Sequence, residues 1–302
     1  MNAQELCGSL QGVIAFPVTP FASDLSLDID GLRQNLRKLV GHRLAAVVAA
    51  GGTGEVYSLA PEEHAQVVKA TVEEVGTGCP VIAGVGCNCA IGVTMARVAE
   101  KAGADALLVL PPYYPNADEE GLADYYAAIA AATPLGLFVY SRDWVNPGAA
   151  WVERLASRIP NLVGWKDGQG DTRRCQQIIR RLGNRLHWIG GAGDDCVPGY
   201  YSIGLRCHTS SIATVAPKLS IALHEAACAG NRDELARLMS DFVIPLYSFR
   251  ARRKGYEVTV MKEMMNLTGQ AAGPVRPPLP NLRPGELDEL KSLLECWRPF
   301  LS

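Results

Sequence analysis

The chain has 302 residues, 48% of them hydrophobic and 20% charged, with a formal net charge of -2. That leaves ample apolar material for a large core. It gives no electrostatic reason to expect nucleic acid or an anionic membrane surface as a partner, and no apolar run reaches the roughly 18 residues of a membrane span.

In chain order, the N-terminus "MNAQELCGSL" lacks the basic and long apolar regions of a signal peptide, so a cytoplasmic location is expected. Eight apolar runs follow: 12–19, 44–52, 79–86, 104–112, 135–141, 161–167, 186–191 and 205–211. They are near-continuous rather than alternating, as strands covered on both faces are. Helical spacing fills the gaps. "PEEHAQVVKATVEEV" (61–75) opens on Pro61 with acids in its first turn, and "AIGVTMARVAEKAGA" (90–104) carries a capping glycine at Gly103. "APKLSIALHEAACAG" (216–230) follows the last run.

Eight βα units without a linker predict a (β/α)8 barrel over 1–230. Residues 231–302 are expected to form a helical extension packed on the barrel or on a neighbouring subunit. A doubly wound sheet fits poorly, because the first run leads into "FPVTPF" and not a GxGxxG turn.

Nine cysteines are scattered along the chain, and the closest pair, Cys87 and Cys89, has no partner at zinc-like spacing. The five histidines form no HxH, HxxxH or HExxH pattern. No metal site is expected, and the thiols are expected to be reduced.

In a barrel the chemistry lies at the C-terminal ends of the strands. Those ends are rich in Gly, Thr, Ser and Tyr around one lysine, Lys166 of "NLVGWKDGQGD". Desolvation lowers a lysine's pKa, and the free amine can form a Schiff base with a keto acid. Tyr140, at the end of the preceding run, is placed to shuttle protons. The competing reading makes Lys166 a structural lysine ion-paired to Asp167. In "AAGGTGEVYSL" (49–59), Gly52 and Thr53 are candidates to receive a carboxylate on main-chain N–H groups. The alternative there is a tight turn whose glycines need positive φ.

The ordered set "GGTGE", "PPYY", "VYSRD", "GWKDG", "KGYEVTVMK" and "GPVRPPL" resembles the dihydrodipicolinate synthase / N-acetylneuraminate lyase family, and within it the 5-dehydro-4-deoxyglucarate dehydratase branch. The resemblance implies a Schiff-base lyase with Lys166 as the imine lysine and Tyr140 as the proton relay. Gly52 and Thr53 would receive the keto acid's carboxylate, and Thr209 and Ser210 would line the far end of the pocket. It implies loss of water and CO2 to give 2,5-dioxopentanoate, no metal or organic cofactor, a small-molecule keto acid as partner, and a homotetramer built as a dimer of dimers. Tyr114 and "GDD" at Asp194-Asp195 look more like the synthase branch. Ser141, His208 and Ala213-Thr214 stand where the dehydratase branch commonly has Asn, Tyr and Phe-Asn. Two alternatives stay open on these grounds: another pyruvate-imine aldolase or synthase, or a catalytically inactive barrel that binds a keto acid.

Overall fold

The computed structural model describes residues 3–301. Each apolar run folds as a parallel strand: β1 (Gly12–Ala15), β2 (Ala46–Ala49), β3 (Val81–Cys87), β4 (Ala106–Pro112), β5 (Gly136–Ser141), β6 (Leu162–Asp167), β7 (His187–Gly190) and β8 (Cys207–Ser210). Neighbours pair in sequence order and β1 closes on β8, so the sheet is a closed eight-stranded barrel. Every residue of β1, β2, β5 and β8 is buried. The barrel interior takes one side of each strand and the helical layer the other, which is why the runs do not alternate.

β1 and β2 fall furthest short of their apolar runs. β1 stops before Phe16 because Pro17 and Pro20 have no N–H to give a ladder. β2 stops at Ala49 because Ala50 adopts φ 49° and turns the chain. Helix Pro61–Val75 starts on its proline, and helix Cys89–Ala102 is capped by Asn88, whose side chain accepts from Ile91 N at 2.9 Å. That helix ends at Gly103 in the left-handed region, φ 90°.

Beyond helix Pro217–Cys228, the helices Arg232–Leu238, Ile244–Arg250, Tyr256–Leu267 and Glu286–Cys296 build a second apolar core. Leu219 and Leu223 of the last barrel helix share it with Leu238, Leu246, Met261 and Trp297. Val18 and Ile212, from the loops after β1 and β8, join the same core. The extension therefore packs on its own barrel and reaches the strand C-terminal ends. No helix among the described residues is long and apolar enough to cross a membrane.

Candidate active site

A cavity of about 650 Å³ opens at the C-terminal ends of the strands, and Gly52, Thr53, Tyr140, Lys166, Thr209 and Ser210 all line it. A second cavity of about 940 Å³ lies at the opposite end, around Leu10, His187 and Cys207 where strands begin, and no lysine lines it.

Lys166 is 3% exposed. Its Nζ donates to Gly191 O at 3.0 Å and sits 3.1 Å from the centroid of the Tyr140 ring and 5.1 Å from that of Phe16. Burial holds its pKa well below the ordinary lysine value, the nearby Arg142 charge pushes it the same way, and Asp167 opposes them. Lys166 is not ion-paired to Asp167. Successive strand residues face opposite sides, and the Asp167 carboxylate accepts from Tyr200 Oη at 2.7 Å and Gly170 N at 3.2 Å. A buried lysine without a carboxylate partner is costly as a cation, so the neutral amine is the form this site favours.

Two glycines make room for the pair. A Cβ on Gly191 would lie 2.4 Å from Lys166 Cγ, and one on Gly168 would lie 2.4 Å from Tyr140 Cε2. Both distances are below van der Waals contact, so a side chain at either position would displace the lysine or the tyrosine.

Tyr140 and Lys166 are register partners across β5 and β6, so both side chains point inward at the same height. Tyr140 is 7% exposed, and its hydroxyl accepts from Arg142 Nη1 at 2.9 Å. It also reaches Gly191 O at 3.5 Å. Burial raises the phenol's pKa, while the Arg142 charge and hydrogen bond pull it down. The phenol therefore holds its proton at rest, and the guanidinium on its oxygen eases the phenolate that forms when that proton is passed to a substrate. Arg142 also lies 3.3 Å from Asp143 Oδ1.

The Gly52–Thr53 turn does not use its glycines for positive φ. The left-handed residues are Ala50 (φ 49°) and Glu55 (φ 53°). A Cβ on Gly52 would meet nothing within 4 Å, so this position faces open cavity. Among the described residues, the N–H groups of Gly52 and Thr53 have no acceptor, and they are free to receive a carboxylate. Glu55, at the end of the turn, is locked from below: its Oε1 is 2.6 Å from Lys262 Nζ, and its Oε2 accepts from Arg276 N at 3.0 Å. Lys262 Nζ also donates to Pro274 O at 2.9 Å, and Arg276 forms a two-bond pair with Glu63 at 2.6 Å. Burial lowers the Lys262 pKa to about 8, with Glu55 pulling it back up. The motifs "GGTGE", "KGYEVTVMK" and "GPVRPPL" thus meet in one network.

On β8 only one of the two candidates presents a free side chain. Thr209 is 7% exposed and lines the cavity. Ser210 borders it too, yet its hydroxyl is 2.5 Å from Ser220 Oγ and accepts from Ala213 N at 3.0 Å, facing the helical layer. The parity of the strand dictates this, because Thr209 points inward. His208, on the same outer side, is buried against Tyr201, with Nδ1 3.0 Å from its hydroxyl.

None of Ser141, His208 and Thr214 lines the cavity. Ser141 donates to Val145 O at 2.9 Å and Thr214 to Ser211 O at 2.7 Å. These departures repack the barrel's outer side and the loop after β8. The cavity also takes Asp195, Tyr247, Arg250 and Glu257, which strand-end reasoning did not single out. Three of those four belong to the extension, where no strand end marks them.

Barrel, cavity and buried amine define the class: a (β/α)8-barrel enzyme with its site at the C-terminal ends of the strands. The family follows from comparison with known proteins. The chain belongs to the dihydrodipicolinate synthetase family, whose model matches residues 9–296. It is 40% identical over 298 residues to a probable 5-dehydro-4-deoxyglucarate dehydratase of Bradyrhizobium diazoefficiens, covering 98% of this chain and 95% of that one. A protein of the same name from Saccharopolyspora erythraea is 41% identical over 286 residues, covering 94% and 93%. Among solved structures, dihydrodipicolinate synthase of Oceanobacillus iheyensis superposes with a TM-score of 0.91 at 29% identity, covering 99% of this chain and 100% of that one. These relatives make the protein a lyase-type enzyme of this family.

Proposed function

We propose that the protein converts 5-dehydro-4-deoxyglucarate to 2,5-dioxopentanoate with loss of water and CO2, through a Schiff base on Lys166. The observation that carries the mechanism is the buried, unpaired Lys166 against Tyr140 at a barrel strand end. The dehydratase names of the relatives support the substrate.

The keto acid's carboxylate rests on the Gly52 and Thr53 N–H groups, which places the carbonyl carbon before Lys166 Nζ. The amine adds to that carbon, and Tyr140 hands a proton to the oxygen that leaves as water, giving the iminium. The positive nitrogen acidifies the neighbouring carbon, whose proton passes to the Tyr140 oxygen, and an enamine forms. The enamine expels the β-hydroxyl as water and leaves a conjugated iminium. The distal carboxylate then departs as CO2, its bonding electrons moving into that conjugated system. A proton from water on carbon restores the iminium and hydrolysis returns the amine, so the water lost in forming the imine is restored and the net loss is one water and one CO2. The lysine itself supplies the electron sink.

In this reading residues 1–230 form the catalytic barrel and 231–302 an extension that walls its mouth. The enzyme is cytoplasmic and a homotetramer. The substrate assignment is tested by incubating the protein with 5-dehydro-4-deoxyglucarate and measuring CO2 and keto products. One CO2 per 2,5-dioxopentanoate, with no free pyruvate, is expected. Pyruvate without CO2 would assign an aldolase reaction to the same imine instead.

A further inference from the structure

Arg250 is the last residue of helix Ile244–Arg250 and lines the cavity from the extension. Its Nη1 donates to Ser211 Oγ at 3.1 Å, just beyond β8. Its guanidinium lies 4.6 Å from the centroid of the Tyr247 ring. That ring is itself fixed: Tyr247 Oη accepts from Asp194 N at 2.7 Å and donates to Asp194 Oδ2 at 3.3 Å. The fork is therefore held in one orientation. Yet its Nε is buried with no acceptor, and it makes no ion pair with any described carboxylate.

The other cavity guanidinium, Arg142, is already matched by Asp143 and Tyr140. Asp195 also lines the cavity and feels the Arg250 charge, but does not pair with it. The shielded Nε cannot meet a cavity ligand, but Nη2 has no protein acceptor among the described residues and is not buried, so the Nη1–Nη2 end of the planar fork is open to a carboxylate with two parallel bonds. Around the barrel, the Gly52–Thr53 turn follows β2, Lys166 ends β6, and Ser211 follows β8. Gly52, Thr53, Lys166, Ser211 and Arg250 line one cavity, so a keto acid with its first carboxylate on the turn and its carbonyl at Lys166 would meet Arg250 and Ser211 when its remaining carbons run past the loops after β7 and β8.

We infer that Arg250, with the Ser211 hydroxyl, forms a second anion site that receives the distal carboxylate of a dicarboxylic keto acid and so selects diacids over monocarboxylic keto acids. The inference rests on the keto-diacid reading of the cavity. Because the held carboxylate later leaves as neutral CO2, this contact stabilises bound substrate more than the transition state. It governs which acid binds.

The test is calorimetric binding of 2-oxoadipate, a six-carbon diacid, and of pyruvate to the full chain and to Arg250→Gln and Arg250→Lys. Arg250→Gln should weaken 2-oxoadipate by about 10- to 100-fold, as expected for losing charge-assisted bonds to one carboxylate, and pyruvate by no more than about twofold. Arg250→Lys should fall between, since it keeps the charge and loses the fork. Pyruvate binding serves as the control for folding. Equal weakening of both acids, unchanged diacid binding, or a wild-type protein that does not bind the diacid would overturn the site. The same dependence on Arg250 should persist in a Lys166→Ala background, because the carboxylate contact needs no imine. Imine formation is read separately by borohydride reduction of the wild type, so loss of the lysine mechanism and loss of the diacid site give different results.

Discussion

At the scale of single residues the site is an electrostatic arrangement of three groups. Arg142 donates to the Tyr140 hydroxyl, and its charge pushes Lys166 further toward the neutral amine. Replacing it with glutamine removes one positive charge beside both groups, so the pKa of Lys166 and that of Tyr140 should each rise. Imine formation needs the free amine, which exists above the lysine's pKa. The acidic limb of the rate of imine formation should therefore move to higher pH in Arg142→Gln. The measurement is that rate across pH, and an unmoved limb would remove Arg142 from this role. Lys166 was legible in the sequence because a lysine that closes an apolar run conflicts with the burial of that run. Its glycine neighbours gave no comparable signal. Gly191 is remote in the chain, and its closeness to Lys166 Cγ arises only when β7 lies beside β6.

At the scale of elements, strand parity decides which side chains reach the cavity. Tyr140 and Lys166 share a register row and point inward together. Thr209 does the same on β8, while Ser210 turns its hydroxyl to Ser220. Period-two alternation says that only one of those adjacent neighbours can face the barrel interior, but which one emerges only from the Ser210–Ser220 contact. The Gly52–Thr53 turn was legible as a glycine-rich loop, but not what holds it. That is the buried pair of Glu55 and Lys262, 207 positions apart and 2.6 Å from N to O. Lys262→Met should leave Glu55 buried and uncompensated, at a cost of about 3–5 kcal/mol in urea unfolding. The double variant Glu55→Gln/Lys262→Met should recover much of that loss. Near-neutral single variants would show that the pair does not fix the loop.

At the scale of the whole molecule, the eight-unit barrel was readable because each run of apolar residues is bounded by Gly, Pro or a helical pattern. The extension's contribution was not, because its cavity-lining residues lie on ordinary helices. Arg250 and Tyr247 become cavity residues only when their helix docks over the strand ends. Tyr113 and Tyr114, 85% and 65% exposed after β4, give the proposed tetramer an available aromatic surface. Light scattering on the purified protein should give four times the 32.4 kDa chain mass, and a monomer mass would refute that part of the proposal. The central claim is the imine on Lys166. It is tested most directly by adding borohydride to the protein with pyruvate or the keto diacid and mapping the adduct by peptide mass spectrometry. The account predicts reduced ligand mass on the peptide carrying Lys166, absent from a folded Lys166→Ala variant. An unmodified Lys166 peptide in folded wild-type protein would contradict it.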